Sequence, residues 1–207
     1  MSAVPPFARR RAPQIATDCA GVAAVEFSLI LPVALLMMAL VVYGGQAFSI
    51  QRKVELSAAT VANLVARGGT PSPAAITNPE MTQILGYPNL ILYPNDATAV
   101  QVVVSELSIS SVNGVATGTV VGSWPNANAA ARPCGQQVPI NSNIVAAFTG
   151  GAGAYSNNSG NVILCEIVYP FTPSEIYVSV GLLTLHSSSL MIPRTNNMVS
   201  GPAMCPP

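Results

Sequence analysis

The sequence predicts an α+β protein in which a long N-terminal transmembrane helix packs on a small antiparallel β-sheet domain. The first observation is a stretch of 25 residues, Phe27–Gln51, without a charged side chain. About 20 apolar residues suffice to cross the hydrocarbon core of a bilayer. The second observation lies in the C-terminal half, where runs of β-branched residues are separated by turn-forming residues. This pattern is typical of antiparallel strands.

Composition and charge limit the possible functions. Only 8% of the 207 residues are charged and the formal net charge is zero, whereas about 25% is usual in soluble domains. Beyond Gly69 the chain has five acidic residues, two arginines and no lysine. Because nucleic-acid binding needs a basic surface, we expect no nucleic-acid partner.

The charges that flank the apolar stretch predict its orientation. Arg9–Arg11 precede it, whereas Arg52 and Lys53 on the far side are offset by Glu55. Basic residues are enriched on the cytoplasmic side of membrane helices. We therefore expect a cytoplasmic leader over residues 1–21 and an extracytoplasmic location for everything after the span.

The helical pattern continues beyond the apolar stretch and predicts one helix over residues 22–68, membrane-spanning in its first half. Gly68 and Gly69 end it. Pro32 removes the hydrogen bond to the Ser28 carbonyl and should kink the helix, and we expect the Ser28 hydroxyl to help satisfy the backbone there. The apolar residues that recur at helical spacing in the second half are Val54, Ala58, Val61, Leu64 and Val65.

A secretory signal peptide is the main alternative for the N-terminal region. Gly45-Gln46-Ala47 would be its cleavage site. The apolar stretch exceeds the usual 7–15 residues of a signal-peptide core, and the helical pattern continues past that site.

The remainder divides into a Pro-rich connector over residues 69–98 and an antiparallel β domain over residues 99–207. In the connector we expect little regular structure apart from a short helix near 79–85 and a short strand at 90–93. Asn113-Gly114 is a strong hairpin turn. The predicted strands of the domain are 99–109, 115–124, 161–171 and 176–186, with 187–192 as an extension of the last or a fifth strand.

Three cysteines are candidates for a disulfide. Cys19 lies in the leader, so Cys134, Cys165 and Cys205 remain on an oxidising side, where disulfides persist. We favour Cys134 with Cys205, because both lie beside prolines in predicted loops. Cys134 with Cys165 and a buried Cys165 thiol are the alternatives.

The residues around Gly21 resemble a known processing site. A glycine at 21, Glu26 as the fifth residue after it and Phe27 next resemble the prepilin cleavage site of Flp-type (tight-adherence) pilins and pseudopilins, and the chain looks like a TadE-like pseudopilin. The resemblance implies a pilin-like fold and cleavage between Gly21 and Val22 by a prepilin peptidase. It also implies a bacterial inner-membrane location, a periplasmic C-terminal domain, and other pilins and tight-adherence components as partners.

The resemblance extends into the β domain. Residues 166–173 look like an acid-x-x-Tyr-x-Tyr-x-Pro stretch of TadE-like proteins. Phe171 stands in place of the second tyrosine, and Pro170 is a departure from the pattern. Residues 191–194 resemble the family's closing strand and basic residue.

Glu26 carries the clearest mechanistic hypothesis. Cleavage after Gly21 would create an ammonium group on Val22, and an unpaired charge in hydrocarbon is very costly. Glu26 would neutralise this group, in its own chain or in a neighbouring subunit, and so set the register of assembly. A glutamate near a helix N-terminus is also favoured by the helix dipole alone.

Patterns for catalysis are missing from the sequence. It has no metal-ligand spacing, no nucleophile elbow and no phosphate-binding loop, and its single histidine, His186, lies in an apolar strand. Glu166 and Glu175 would pair only if the sheet brought them together. We therefore expect no enzyme, no cofactor and no small-molecule substrate. Three hypotheses stay open: a processed pseudopilin, an uncleaved single-pass anchor with a partner-binding periplasmic domain, and a secreted protein with a signal peptide.

Overall fold

The protein is described by a computed structural model that covers residues 20–68, 75–112, 115–140, 161–171 and 183–194. It has a long N-terminal apolar helix and an antiparallel five-stranded sheet, so the predicted α+β class is confirmed. The chain divides into two compact units, of which the first ends at Gly45 and the second begins at Gln46. The elements are α1 Ala20–Arg67, α2 Asn78–Leu92, β1 Gln101–Val112, β2 Val115–Pro125, β3 Gln137–Pro139, β4 Asn161–Phe171 and β5 Leu183–Met191.

The described part of the first unit, residues 20–45, is apolar and solvent-exposed. Its large apolar side chains between Val22 and Val42 are exposed, from 40% at Leu31 to 75% at Val41. A helix from the core of a soluble domain would bury such side chains. Among the described residues, α1 is the one helix that is long and apolar enough to cross a membrane.

The second unit, the head, is built on a sheet with the order β3-β2-β1-β4-β5, and all neighbouring strands are antiparallel. Val104 in β1 lies opposite Trp124 in β2 and Cys165 in β4. Because side chains alternate along a strand, these three residues share the face that packs on the helices.

The main core lies between this face and the second half of α1. The helix contributes Ile50, Val54, Ala58, Val61 and Val65 to a cluster that also contains buried residues of β1 and β4. The amphipathic pattern therefore predicts the packed face correctly for these residues. Leu64 differs, because it is only half-buried and lines a groove beside α2.

The connector contains a 15-residue helix, α2, where the sequence led us to expect a shorter helix and a strand at 90–93. The strand was wrong, because Met81, Leu85, Pro88 and Leu92 are buried at helical spacing. Glu80 stabilises the first turn, where its carboxylate accepts from the Thr77 backbone N–H at 2.9 Å and hydroxyl at 3.0 Å.

The strands differ from the predictions at their ends. Val112 pairs with Val115, and the predicted turn Asn113-Gly114 between them lies outside the described residues. Residues 187–191 continue β5 instead of forming a separate strand, while residues 176–182 of the predicted fourth strand are not described. β3, with three residues, was missed because so short a segment carries no periodicity.

α1 is hydrogen-bonded to the edge strand β5 and to the segment that follows it. Gln51 Nε2 donates to the His186 carbonyl at 3.1 Å, and the Arg194 backbone N–H, beyond the end of β5, donates to the Ala66 carbonyl at 2.8 Å. Within the head, α1 therefore contacts an edge strand of the sheet as well as packing on one of its faces.

Candidate functional site

The residues of the predicted processing site lie on the first turns of α1. Gly21, Val22, Glu26 and Phe27 are all exposed, and a Cβ atom added at Gly21 would meet no heavy atom within 4 Å. Among the described residues, none forms a hydrogen bond or ion pair with the Glu26 carboxylate. This carboxylate is accessible to a group from outside the chain.

Pro32 lies within α1. The nearby Ser28 hydroxyl donates to the Val25 carbonyl at 2.7 Å. It therefore supplies a donor to the Val25 carbonyl and not to the Ser28 carbonyl, which is the group that loses its donor at Pro32. The kink at Pro32 stays a prediction.

The three candidate cysteines occupy different environments. Cys165 is a buried free thiol in β4, and burial, together with the nearby charge of Glu166, raises its pKa to about 12. A free Cys165 contradicts the alternative pair Cys134 with Cys165, since the space around this thiol is filled by the core between β4 and the helices. Cys134 lies in the turn before β3, and Cys205 lies outside the described residues, as does Cys19.

The outer face of the sheet carries an ion pair that the sequence did not predict. Both oxygens of the Glu166 carboxylate accept from Arg132, at 2.6 Å from Nε and 2.5 Å from Nη2. The Arg132 backbone N–H donates to the Ser123 hydroxyl at 2.9 Å. The pair ties the loop after β2 to β4, which is not its neighbour in the sheet. Glu175, the other acid considered for Glu166, lies outside the described residues.

A second carboxyl group, Glu106, lies on the opposite, helix-facing side of the sheet. It is 1% exposed, and Asn161 Nδ2 donates to its Oε1 at 2.8 Å. Its Oε2 has no hydrogen-bond partner within the described part of the chain, and the same holds for Nε1 of Trp124. Burial raises the pKa of the Glu106 carboxyl, and the hydrogen bond from Asn161 counteracts this in part. The sequence analysis did not single out Glu106, which lies inside the predicted strand 99–109.

A groove of about 910 Å³ lies at the end of the head where α1 joins it. Ile50 and Lys53 of α1, the loop after α2 and the end of β4 line it. Lys53 Nζ donates to the Tyr93 carbonyl at 3.0 Å, and the Tyr169 hydroxyl donates to the Asp96 carbonyl at 2.8 Å. Two side chains therefore hold the loop in place from opposite walls.

The described residues offer no grouping for metal chemistry, since no three His, Cys, Asp or Glu side chains among them are placed to hold an ion. His186 is exposed on β5, and its carbonyl accepts from Gln51. His186 is therefore an edge-strand residue whose backbone is hydrogen-bonded to α1.

Comparison with known proteins gives one finding. Residues 21–63 match the family described as TadE-like protein. No curated protein and no solved structure matches the chain. The match begins at the glycine of the predicted cleavage site and ends inside the head-packing half of α1. Residues 21–63 are thus similar to the TadE-like family, in agreement with the resemblance seen in Gly21, Glu26 and Phe27.

Proposed function

We propose that this protein is a pseudopilin of the tight-adherence pilus apparatus. A prepilin peptidase cuts it between Gly21 and Val22, the apolar part of α1 holds it in the bacterial inner membrane with its N-terminus in the cytoplasm, and the head lies in the periplasm. There it contributes to pilus assembly together with other pilins and pseudopilins.

The observation that carries this proposal is the exposure of the apolar side chains between Val22 and Val42. Water cannot solvate so many apolar groups without a large free-energy cost, about 25 cal/mol for each Å². These side chains therefore need lipid or neighbouring helices around them. The family match over residues 21–63 supports an assembly of the pilus type as the source of those helices.

The N-terminus of the mature protein tests the proposal. We expect N-terminal sequencing or intact-mass measurement of the membrane-extracted protein to give a chain that starts at Val22. Gly21→Leu should block this cut by filling the space beside it, whereas Gly45→Leu should not. The two substitutions are matched, because an added Cβ meets no heavy atom within 4 Å at either glycine.

Two other results would replace the proposal. A start at Met1 identifies an uncleaved anchor with a periplasmic domain. A start at Phe48, abolished by Gly45→Leu and not by Gly21→Leu, identifies a secreted protein with a signal peptide.

We also infer a disulfide between Cys134 and Cys205. The buried free thiol of Cys165 supports it by leaving these two cysteines as partners on the periplasmic side. Peptide mapping of the unreduced protein should recover the two peptides linked, and Cys134→Ser should release the Cys205 peptide. Recovery of both cysteines as thiols from protein made in an oxidising compartment contradicts the pairing.

A further inference from the structure

The groove beside Lys53 lies at the part of the head that follows the apolar stretch directly in sequence. Gln46, Ser49, Ile50 and Lys53 form its α1 wall. About 20 of the 25 uncharged residues from Phe27 to Gln51 suffice to cross the hydrocarbon core. The residues after about Gln46 then belong to the headgroup layer, which adds several Å on each side of that core.

Exposed aromatic rings directly precede two of the segments that line this groove, since Phe48 precedes Ser49 and Tyr93 precedes Pro94. Phe48 is 61% exposed and Tyr93 is 77% exposed. The Arg52 guanidinium lies 4.7 Å from the centroid of the Phe48 ring. Aromatic rings and cations are the side chains that collect at the headgroup level of bilayers.

The groove also contains polar groups suited to a phosphate. Lys53 uses one donor on the Tyr93 carbonyl, and an ammonium group has three. Two donors therefore remain for an anion. Asp96 also lines the groove, and its carboxylate accepts from the Thr98 backbone N–H at 2.9 Å.

We propose that this groove binds phospholipid headgroups of the membrane that the chain spans, with Lys53 at the phosphate and Tyr93 at the glycerol and upper acyl region. The inference rests on the membrane insertion in the proposed function. It adds a lipid-binding site in the head.

Photo-crosslinking in the full-length protein tests the site. The photoreactive amino acid p-benzoylphenylalanine is placed at position 93 or, as a matched control, at position 87, and the protein is reconstituted into vesicles of radiolabelled phospholipid. Tyr87 is also exposed, but it lines a groove with Leu64. Leu64 lies about 16 Å further along α1 than Lys53. We expect several-fold more lipid adduct at position 93 than at position 87.

A third position separates this inference from the proposed function. The same amino acid at Leu36 reports whether the apolar stretch is in the bilayer. Lipid adduct at position 36 with none at position 93, or with equal amounts at 93 and 87, overturns the lipid site and leaves membrane insertion intact. A protein adduct at position 93 instead of a lipid adduct also overturns it. Failure at position 36 overturns the membrane span itself.

Lys53→Gln supplies the second measurement. It keeps a donor for the Tyr93 carbonyl and removes the charge, so we expect several-fold less lipid adduct at position 93 and no change at position 36. Arg67→Gln, a change of another exposed cation of α1, is its control. Equal adduct yields in these two variants show that Lys53 does not hold the phosphate, which contradicts the site as proposed.

Discussion

Glu106 and Glu166 show how the face of a strand decides the chemistry of a carboxyl group. Both lie in the centre of the sheet, in neighbouring strands. Glu166 points to the outer face, where its side chain is 30% exposed and paired with Arg132. Glu106 points to the helices and has Asn161 as its donor. Exposed ion pairs contribute about 0–1 kcal/mol, so the buried Glu106 has the larger influence on the pH dependence of stability.

The first prediction concerns this pH dependence. Because the pKa of Glu106 is raised in the folded protein, the folded state favours the neutral carboxyl. The contribution of the neutral carboxyl to the free energy of unfolding is fully present below the pKa that Glu106 has in the unfolded chain. It is lost as the pH rises through the pKa that Glu106 has in the folded protein. Glu106→Gln removes the titration, and the gain in stability at neutral pH is about 1.4 kcal/mol for each unit by which the pKa is raised.

Thermal unfolding measured from about pH 4 to about pH 8 checks this. Glu106→Gln should raise the melting temperature relative to wild type at the upper end and have little effect at the lower end. If the melting temperatures of Glu106→Gln and wild type differ by the same amount at every pH, Glu106 does not titrate in this range.

The second prediction concerns Glu26. Glu26→Ala should leave membrane insertion intact, because an apolar residue is inserted more easily than a charged one. Pilus assembly should be lost, because the Val22 ammonium group then has no carboxylate to pair with. Membrane fractionation and quantification of surface pili measure the two effects separately. Glu55→Ala is the control within the same helix. Normal piliation in a strain whose only copy carries Glu26→Ala rules out the pairing.

At the scale of elements, packing decides which local preferences are expressed. Gly118 in β2 and Gly86 in α2 make this visible. A Cβ at Gly118 would lie 2.5 Å from Cδ1 of Ile140 and 3.2 Å from Cβ of Leu107, whereas one at Gly86 would meet nothing within 4 Å. Gly118 is needed because the Ile140 side chain lies directly over it.

The third prediction follows from this pair of glycines. Gly118→Ala should destabilise the head by about 1–3 kcal/mol through overpacking, although the end of the Ile140 side chain is able to shift. Gly86→Ala should stabilise it by up to about 1 kcal/mol, since alanine favours the helix and finds open space. Denaturant unfolding of both variants measures the difference. The opposite order would show that β3 and Ile140 do not pack on β2.

At the scale of the whole head, α1 is part of the fold. It supplies one wall of the main core and is hydrogen-bonded to β5 and to the segment after it through Gln51 and Ala66. The head without this helix would expose an apolar face, a feature that promotes aggregation.

The fourth prediction compares two fragments that lack the apolar part of α1, both made in an oxidising compartment. Residues 46–207 should be monodisperse in size-exclusion chromatography, because Val54, Val61 and Val65 cover the sheet. Residues 70–207 should keep the disulfide but aggregate. If the shorter fragment is equally monodisperse and equally heat-stable, the helix does not contribute to the core of the head in solution.

The sequence by itself determined the features that depend on local pattern and length. The uncharged stretch after Glu26, the helical spacing of Val54 to Val65, and the strand over residues 161–171 were all predictable, because periodicity and the thickness of a bilayer constrain them directly. The order Gly21, Glu26, Phe27 was enough to indicate the TadE-like family.

Only the tertiary structure decided the features that join distant residues. Nothing in the sequence places Arg132 on Glu166, gives the buried Glu106 its partner Asn161, or brings Lys53 to the carbonyl of Tyr93. These contacts follow from the register of β1 with β4 and from the path of α2 back along α1, since a register shift of one residue would move every side chain to the other face. Local patterns specify elements, and the packing of elements specifies which polar groups meet.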